Sequence, residues 1–188
     1  MIYVFEGPRN SGKTFLSKHI SKRFEIKRFQ FLFPDYFSRL KMTSQNSKEA
    51  HAFSMGKELM IMQLFRDLDF GNNDVIHDRG ILTVLAWGLM ENRITEGEMI
   101  DQVKLIRDFE LMDEVRIVFI TGNNPDKGDR NKDEWDRIDG DPRELESYQK
   151  VISAFESYGI AKIRRFENNF DAESLTNLDL LFEEFLLN

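Results

Sequence analysis

The sequence predicts one α/β domain: a five-stranded parallel sheet covered by helices on both faces, with a small lid. Three observations carry this. Gly7-Pro8-Arg9-Asn10-Ser11-Gly12-Lys13-Thr14 spells the phosphate-binding pattern G-x-x-x-x-G-K-[ST] between a strand-like and a helix-like run. Short apolar runs alternate with amphipathic helical ones along the whole chain, as a parallel sheet with helical crossovers demands. Just one of the internal strands, Val75-Ile76-His77-Asp78, ends in an acid, at the strand end where open parallel sheets place their chemistry.

The elements follow in order. Ile2-Tyr3-Val4-Phe5 reads as a buried strand, and Lys13 to Phe24 as a helix with Leu16, Ile20 and Phe24 on one face. Lys27 to Phe33 alternates and is aromatic, a second strand ending at Pro34. A long helix is expected from about Lys48 to Leu68, then the Val75 strand, then a buried helix from Ile81 to about Glu91. Thr95 and Glu98 form a capping box for the next helix. Val115 to Ile120 is apolar except for Arg116, as befits a central parallel strand. Gly122 to Gly140 is polar and turn-rich. Asp141-Pro142-Arg143-Glu144 then supplies an N-cap, a Pro at the first helical position and a capping carboxylate, and Gly159 a C-cap. Ile160 to Phe166 is the fifth strand, followed by a last helix.

Composition narrows the function. The 188 residues suit a single domain, 1–188, with the lid at about 122–141. Hydrophobic residues make up 41%, and 17 Phe point to a Phe-rich core. Without Cys there are no disulfides, thiolate nucleophiles or zinc-thiolate sites, which accords with a cytoplasmic setting. The three His lack metal-ligand spacing. The first residues already read as strand rather than targeting signal, and the apolar stretch Ile81 to Met90 is too short to span a membrane. A net charge of −7 argues against a general nucleic-acid coat protein. Yet Lys13 to Lys41 carries eight Lys/Arg against two acids, so an anionic ligand is expected near the phosphate loop.

The chemistry of that loop is specific. Gly7 and Gly12 let the chain bend so that N–H groups converge, and the following helix adds its positive end. Lys13 is expected to reach the β- and γ-phosphates of a triphosphate, and Thr14 to ligate Mg²⁺ through its hydroxyl. Asp78 is the expected metal-shell carboxylate or general base, a helix N-cap being the simpler role for it. Arg79 suits a bidentate phosphate clamp. His77 reads as a packed strand residue. In the polar segment, Arg130 is best placed to neutralise charge on a transferred group, ahead of Lys127, Lys132 and Arg137. Asn131-Lys132-Asp133-Glu134 narrowly misses the guanine-reading N-K-x-D and does not follow a strand.

These elements together resemble the thymidylate kinase-like branch of the P-loop nucleotide kinases. Tyr3-Val4-Phe5-Glu6-Gly7 through Thr14 is similar to that family's opening, Phe33-Pro34-Asp35 to its F-P-E/D element, and Val75 to Arg79 to its V-I-x-D-R element. The resemblance implies a P-loop kinase three-layer fold and ATP–Mg²⁺ as phosphoryl donor. By position it implies Phe53 as the ring that stacks on an acceptor base, and Lys57 as the basic residue that contacts the nucleotide. It brings Asp35 to the acceptor side with Arg79, and suggests a homodimer. Departures cluster on that same side: Arg9 stands where many members have Asp, Gly80 where Tyr often follows, Tyr36 where Arg does, and Lys57 replaces an Arg.

The expected activity is transfer from ATP to a deoxynucleoside monophosphate. Two alternatives stay open. One is a kinase acting on a hydroxyl of a nucleoside or of DNA, with Asp35 or Asp78 as base and Arg9 and the basic block on a polynucleotide backbone. The other is a nucleotide-driven switch without an acceptor.

Overall fold

The computed structural model describes residues 1–29, 48–67, 74–122 and 142–187. The described strands are β1 (Ile2–Glu6), β2 (Lys27–Phe29), β3 (Val75–Asp78), β4 (Val115–Thr121) and β5 (Lys162–Glu167). The described helices are α1 (Lys13–Arg23), α2 (Lys48–Asp67), α3 (Ile81–Met90), α4 (Glu96–Asp108), α5 (Pro142–Ser157) and α6 (Ala172–Leu187). All strand pairs are parallel, in the order β2-β3-β1-β4-β5.

That order makes β1 the central strand, and every residue of Ile2–Glu6 is buried. Phe5 is in register with Asp78 of β3 on one side and with Val118 of β4 on the other. The end of β1, which opens the phosphate loop, therefore lies beside Asp78 at the end of β3; β1 and β5 also end in acids, Glu6 and Glu167, so Asp78 is not the single strand-end acid expected. The edge strand β5 is mostly exposed and carries Lys162, Arg164 and Arg165, charges that discourage edge-to-edge pairing.

Two apolar layers sandwich the sheet. Tyr3, Phe5, Ile76, Val118 and Ile120 face Leu16 and Ile20 of α1 and Leu178, Phe182 and Phe185 of α6. Val4, Val75, Ile117 and Phe119 face Met62 and Phe65 of α2, Leu82 and Leu85 of α3, Val103 of α4, and Tyr148, Val151 and Phe155 of α5. The core is rich in Phe, as composition suggested, with tilted ring pairs such as Tyr3–Phe182 at 4.5 Å. Helix α3 is buried at eight of its ten positions, which explains its apolar run: it is covered by α2, α4 and α5. Thr95 and Glu98 form the expected capping box at the start of α4.

One element boundary shifts. β5 starts at Lys162 rather than Ile160, because the Ile160 N–H donates to the Phe155 carbonyl (2.9 Å) and closes α5. Gly159 (φ 66°) and Ala161 (φ 60°) turn the chain there. Within the described residues β2 ends at Phe29; residues 30–33 lie outside them, as does the lid segment 123–141. Among the described residues no helix is long and apolar enough to cross a membrane.

Candidate active site

The phosphate loop is shaped by close backbone approaches. At Gly7 (φ 139°) an added Cβ would lie 2.1 Å from the Ile120 carbonyl oxygen of β4. At Gly12 (φ 84°) it would lie 2.4 Å from Asn168 Nδ2. Asn168, buried just past β5, donates that amide to the Ser11 carbonyl at 3.0 Å and its own N–H to Thr121 at 2.9 Å. The ends of β4 and β5 thus brace the loop from behind. Gly7→Ala is expected to destabilise the protein by at least about 2–3 kcal/mol in urea unfolding, since positive φ and a backbone clash add.

Lys13 is buried inside the loop. Its ammonium donates to the Pro8 carbonyl and to Ser11 Oγ (3.1 Å). Burial, and then the Arg79 guanidinium, push its pKa well below the ordinary lysine value, while Glu144, Glu6 and Asp78 pull the other way. An anion beside this ammonium would offset both causes of the depression.

Asp78 ends β3, buried next to the loop. Its Oδ2 accepts from Arg28 Nη2 at 2.5 Å, and Arg28 Nε donates to Ser17 Oγ of α1 at 2.8 Å. Asp78 Oδ1 is buried without a hydrogen-bond partner. The N-cap role does not fall to Asp78, since Gly80 precedes α3 with no side-chain cap. Glu6 takes that work instead, accepting from Gly80 N (2.8 Å), Leu82 N (3.1 Å) and Thr83 Oγ1 (2.5 Å), with Thr83 also bonded to Tyr148 OH (2.7 Å). Burial raises the Glu6 pKa. This network fixes the turn at Arg79, whose φ is 70° and whose N–H donates to the Phe5 carbonyl (3.1 Å).

Arg9 and Arg79 converge on Trp87 of α3. Their guanidinium carbons lie 4.7 Å and 5.2 Å from the ring centroid. The indole N–H donates to Glu144 Oε1 (3.0 Å), and the Arg9 backbone N–H reaches both Glu144 oxygens (3.3 and 3.2 Å). Glu144, expected as a capping carboxylate, thus accepts from donors on two other elements, while its expected N-cap partner Asp141 lies outside the described residues. Glu144 is buried, and two N–H donors on other elements draw it inward from the first turn of α5.

The structure brings Lys13, Arg9, Asp78 and Arg79 to one end of the sheet. Pro8, Asn10 and Ser11 complete the loop, and Thr14 is exposed at the start of α1. Phe53 and Lys57 lie on α2, apart from the loop in sequence. Phe53 is 37% exposed, so it is not a core residue. Lys57 pairs with Glu58 at 2.8 Å, and Glu58 also holds His77 at 3.0 Å. Burial pushes Glu58 up, but His77 and Lys57 outweigh it, and its carboxyl sits below the usual range. His77 is fully buried in β3. Asp35 and Arg130 lie outside the described residues.

The oxygens fit a hard cation. Asp78 Oδ1 is an orphaned buried acceptor and Thr14 presents a hydroxyl. Among the described residues no cluster of three or more His, Cys, Asp or Glu could hold a metal alone. Mg²⁺ that shares its shell with phosphates needs only one or two protein ligands.

Several residues here escape a sequence reading. Arg28, Trp87 and Asn168 belong to no motif, and nothing local marks them; Glu144 carried only a local capping signal. Glu6 did carry a signal: an acid immediately before a phosphate loop, at the buried end of a strand, needs donors to satisfy it.

No protein-family profile matches the sequence, and no curated protein matches it. Solved structures do match. Thymidylate kinase from Ehrlichia chaffeensis superimposes with TM-score 0.62 at 15% identity, over 99% of this chain and 98% of that one. Deoxyadenosine kinase from M. mycoides with bound dATP gives 0.60 at 12%, over 98% and 99%. Thymidylate kinase from Candida albicans gives 0.58 at 20%, over 100% and 91%. The chain thus has the three-layer P-loop nucleotide-kinase fold, as the sequence predicted.

Proposed function

We propose that the protein transfers the γ-phosphoryl group of ATP to a nucleotide, a deoxynucleoside monophosphate above all. The observation that carries this reading is the convergence of Lys13, Arg9 and Arg79 beside Asp78 at the C-terminal ends of β1 and β3. A triphosphate would lie along the loop Gly7–Thr14, its oxygens meeting backbone N–H groups and the Lys13 ammonium. Thr14 and Asp78 Oδ1 would hold Mg²⁺, which supplies charge screening on the phosphates.

In the transfer, an oxygen of the acceptor's phosphate forms a bond to the γ-phosphorus as the bond to the bridging oxygen breaks, and ADP departs with that oxygen's electron pair. The attacking oxygen is already ionised, so no base is needed. Lys13 and Arg79 stabilise charge on the moving group, and Arg79 and Arg9 grip the acceptor's anionic end. Asp78 organises metal and water. The segment 122–141 is the proposed lid, with Arg130 its charge-neutralising residue and water exclusion its effect. Asp35, Phe53 and Lys57 are the proposed acceptor contacts, Phe53 offering an exposed ring on α2.

The test is ATP–Mg²⁺ with a panel of nucleosides, monophosphates and DNA ends. ADP should form only when a monophosphate is present. Hydrolysis indifferent to every acceptor would sink the kinase reading, and transfer confined to DNA ends with a steep salt dependence would redirect it to polynucleotides. Phe53→Ala should raise the acceptor KM by roughly tenfold and the ATP KM hardly at all, a tenfold change being about 1.4 kcal/mol of lost stacking. Equal changes in both constants would remove Phe53 from the site.

A further inference from the structure

Arg9 and Arg79 come from different elements, the phosphate loop and the turn after β3, yet both guanidiniums lie on one indole ring, Trp87. Each has an Nη1 that is buried and without a hydrogen-bond partner. The Lys13 ammonium is close enough to Arg79 for the two to raise each other's cost. Such a cluster of like charge is unfavourable unless something compensates it. Among the described residues, Glu6 and Asp78 offset part of this charge, but their hydrogen bonds go to other donors. Glu144, the acid bonded to this ring, spends its carboxylate on the indole N–H and on the Arg9 backbone N–H.

We propose that Trp87, held by Glu144, is a positioning residue that gathers Arg9 and Arg79 onto one platform so that both address the same phosphate. The proposal rests on the nucleotide-kinase reading. The ring face attracts each cation, which lowers the cost of bringing them together. The Glu144 hydrogen bond fixes the ring's rotation about its side-chain bonds, so the platform has one orientation. Glu144 also sits in the first turn of α5, directly after the proposed lid, and its second tie, to the Arg9 N–H, fixes the loop's backbone at the residue whose side chain uses the platform. Arg9 thereby becomes a second anion clamp, in the place where the resembled family carries an acid. Two preordered guanidiniums on one anion select a phosphomonoester dianion over a neutral hydroxyl.

A double-mutant cycle tests this, with binding of inorganic pyrophosphate followed by ³¹P NMR at millimolar concentration. Trp87→Leu should weaken binding about tenfold, and Trp87→Phe, which keeps a ring face but loses the N–H, by about threefold or less. In an Arg9→Gln/Arg79→Gln background the same Trp87→Leu change should alter affinity less than twofold, because its effect travels through the two arginines. A merely structural Trp87 would cost the same factor in both backgrounds, and that outcome overturns the proposal. So does an unchanged affinity in Trp87→Leu. If that variant is too unstable to titrate, Trp87→Met carries the same cycle. The kinase reading fails separately, through acceptor-indifferent hydrolysis in the panel. A non-additive cycle would then still establish the platform, whereas a wild type that binds no pyrophosphate overturns both.

Discussion

Lys13→Ala is expected to lower kcat for phosphoryl transfer by about 10²–10³-fold, the usual cost of deleting one preorganised charge from a water-excluded site. The thermal midpoint should stay the same or rise. The Lys13 ammonium is buried, and burial and the Arg79 guanidinium both disfavour its charged form. Removing it takes away an unfavourable buried charge, along with hydrogen bonds to Pro8 and Ser11 that can be partly replaced by water. The two readouts should therefore diverge: steady-state kinetics with ATP–Mg²⁺ on one side, differential scanning fluorimetry on the other. Retained transfer would show that the loop does not hold the donor phosphates.

Asp78→Ala should hurt both activity and stability. Arg28 would lose a carboxylate bonded at 2.5 Å while still anchored to Ser17 on α1. Breaking one side of a buried pair costs about 3–5 kcal/mol, and the lower end is expected here because Arg28 is partly exposed. That is a sizeable part of the roughly 5–15 kcal/mol that holds a domain folded. Asp78→Asn separates the roles. An amide oxygen can still accept from Arg28, so about 1–2 kcal/mol should be lost in urea unfolding. Transfer should nonetheless fall as far as in the alanine variant, because the charge that would hold Mg²⁺ through Oδ1 is gone. An Asp78→Asn protein with wild-type kcat would leave Asp78 as a purely structural partner of Arg28.

The fold was legible because its determinants are local. The all-buried Ile2–Glu6, the fully apolar face of α3 and the Thr95–Glu98 capping box are each written in a few adjacent residues. Periodicity and capping chemistry operate over one or two turns, so the element order could be read before any packing was known. The donor side of the site was equally local: Gly7, Gly12, Lys13 and Thr14 fall within eight consecutive positions. The long-range role of Glu144 was illegible for the same reason. Its spacing from Asp141 and Pro142 matches a capping pattern, but its partners, Arg9 and Trp87, are 135 and 57 residues away.

By itself, then, the sequence determined an α/β sheet, a phosphate loop at the end of its first strand and an acid at the end of a later one. Only the tertiary structure decided what those groups do to one another. The strand order puts β3 between β2 and β1, so Asp78 meets Arg28 from one neighbour and lies beside the phosphate loop of the other. The packing of α3 against α5 brings Glu144 to Trp87, and Trp87 to both arginines. The physical reason is one of range. Backbone preferences and hydrophobic period act between near neighbours in sequence, whereas a buried charge takes its partner from whichever strand end or helix turn the sheet places within a few ångströms of it.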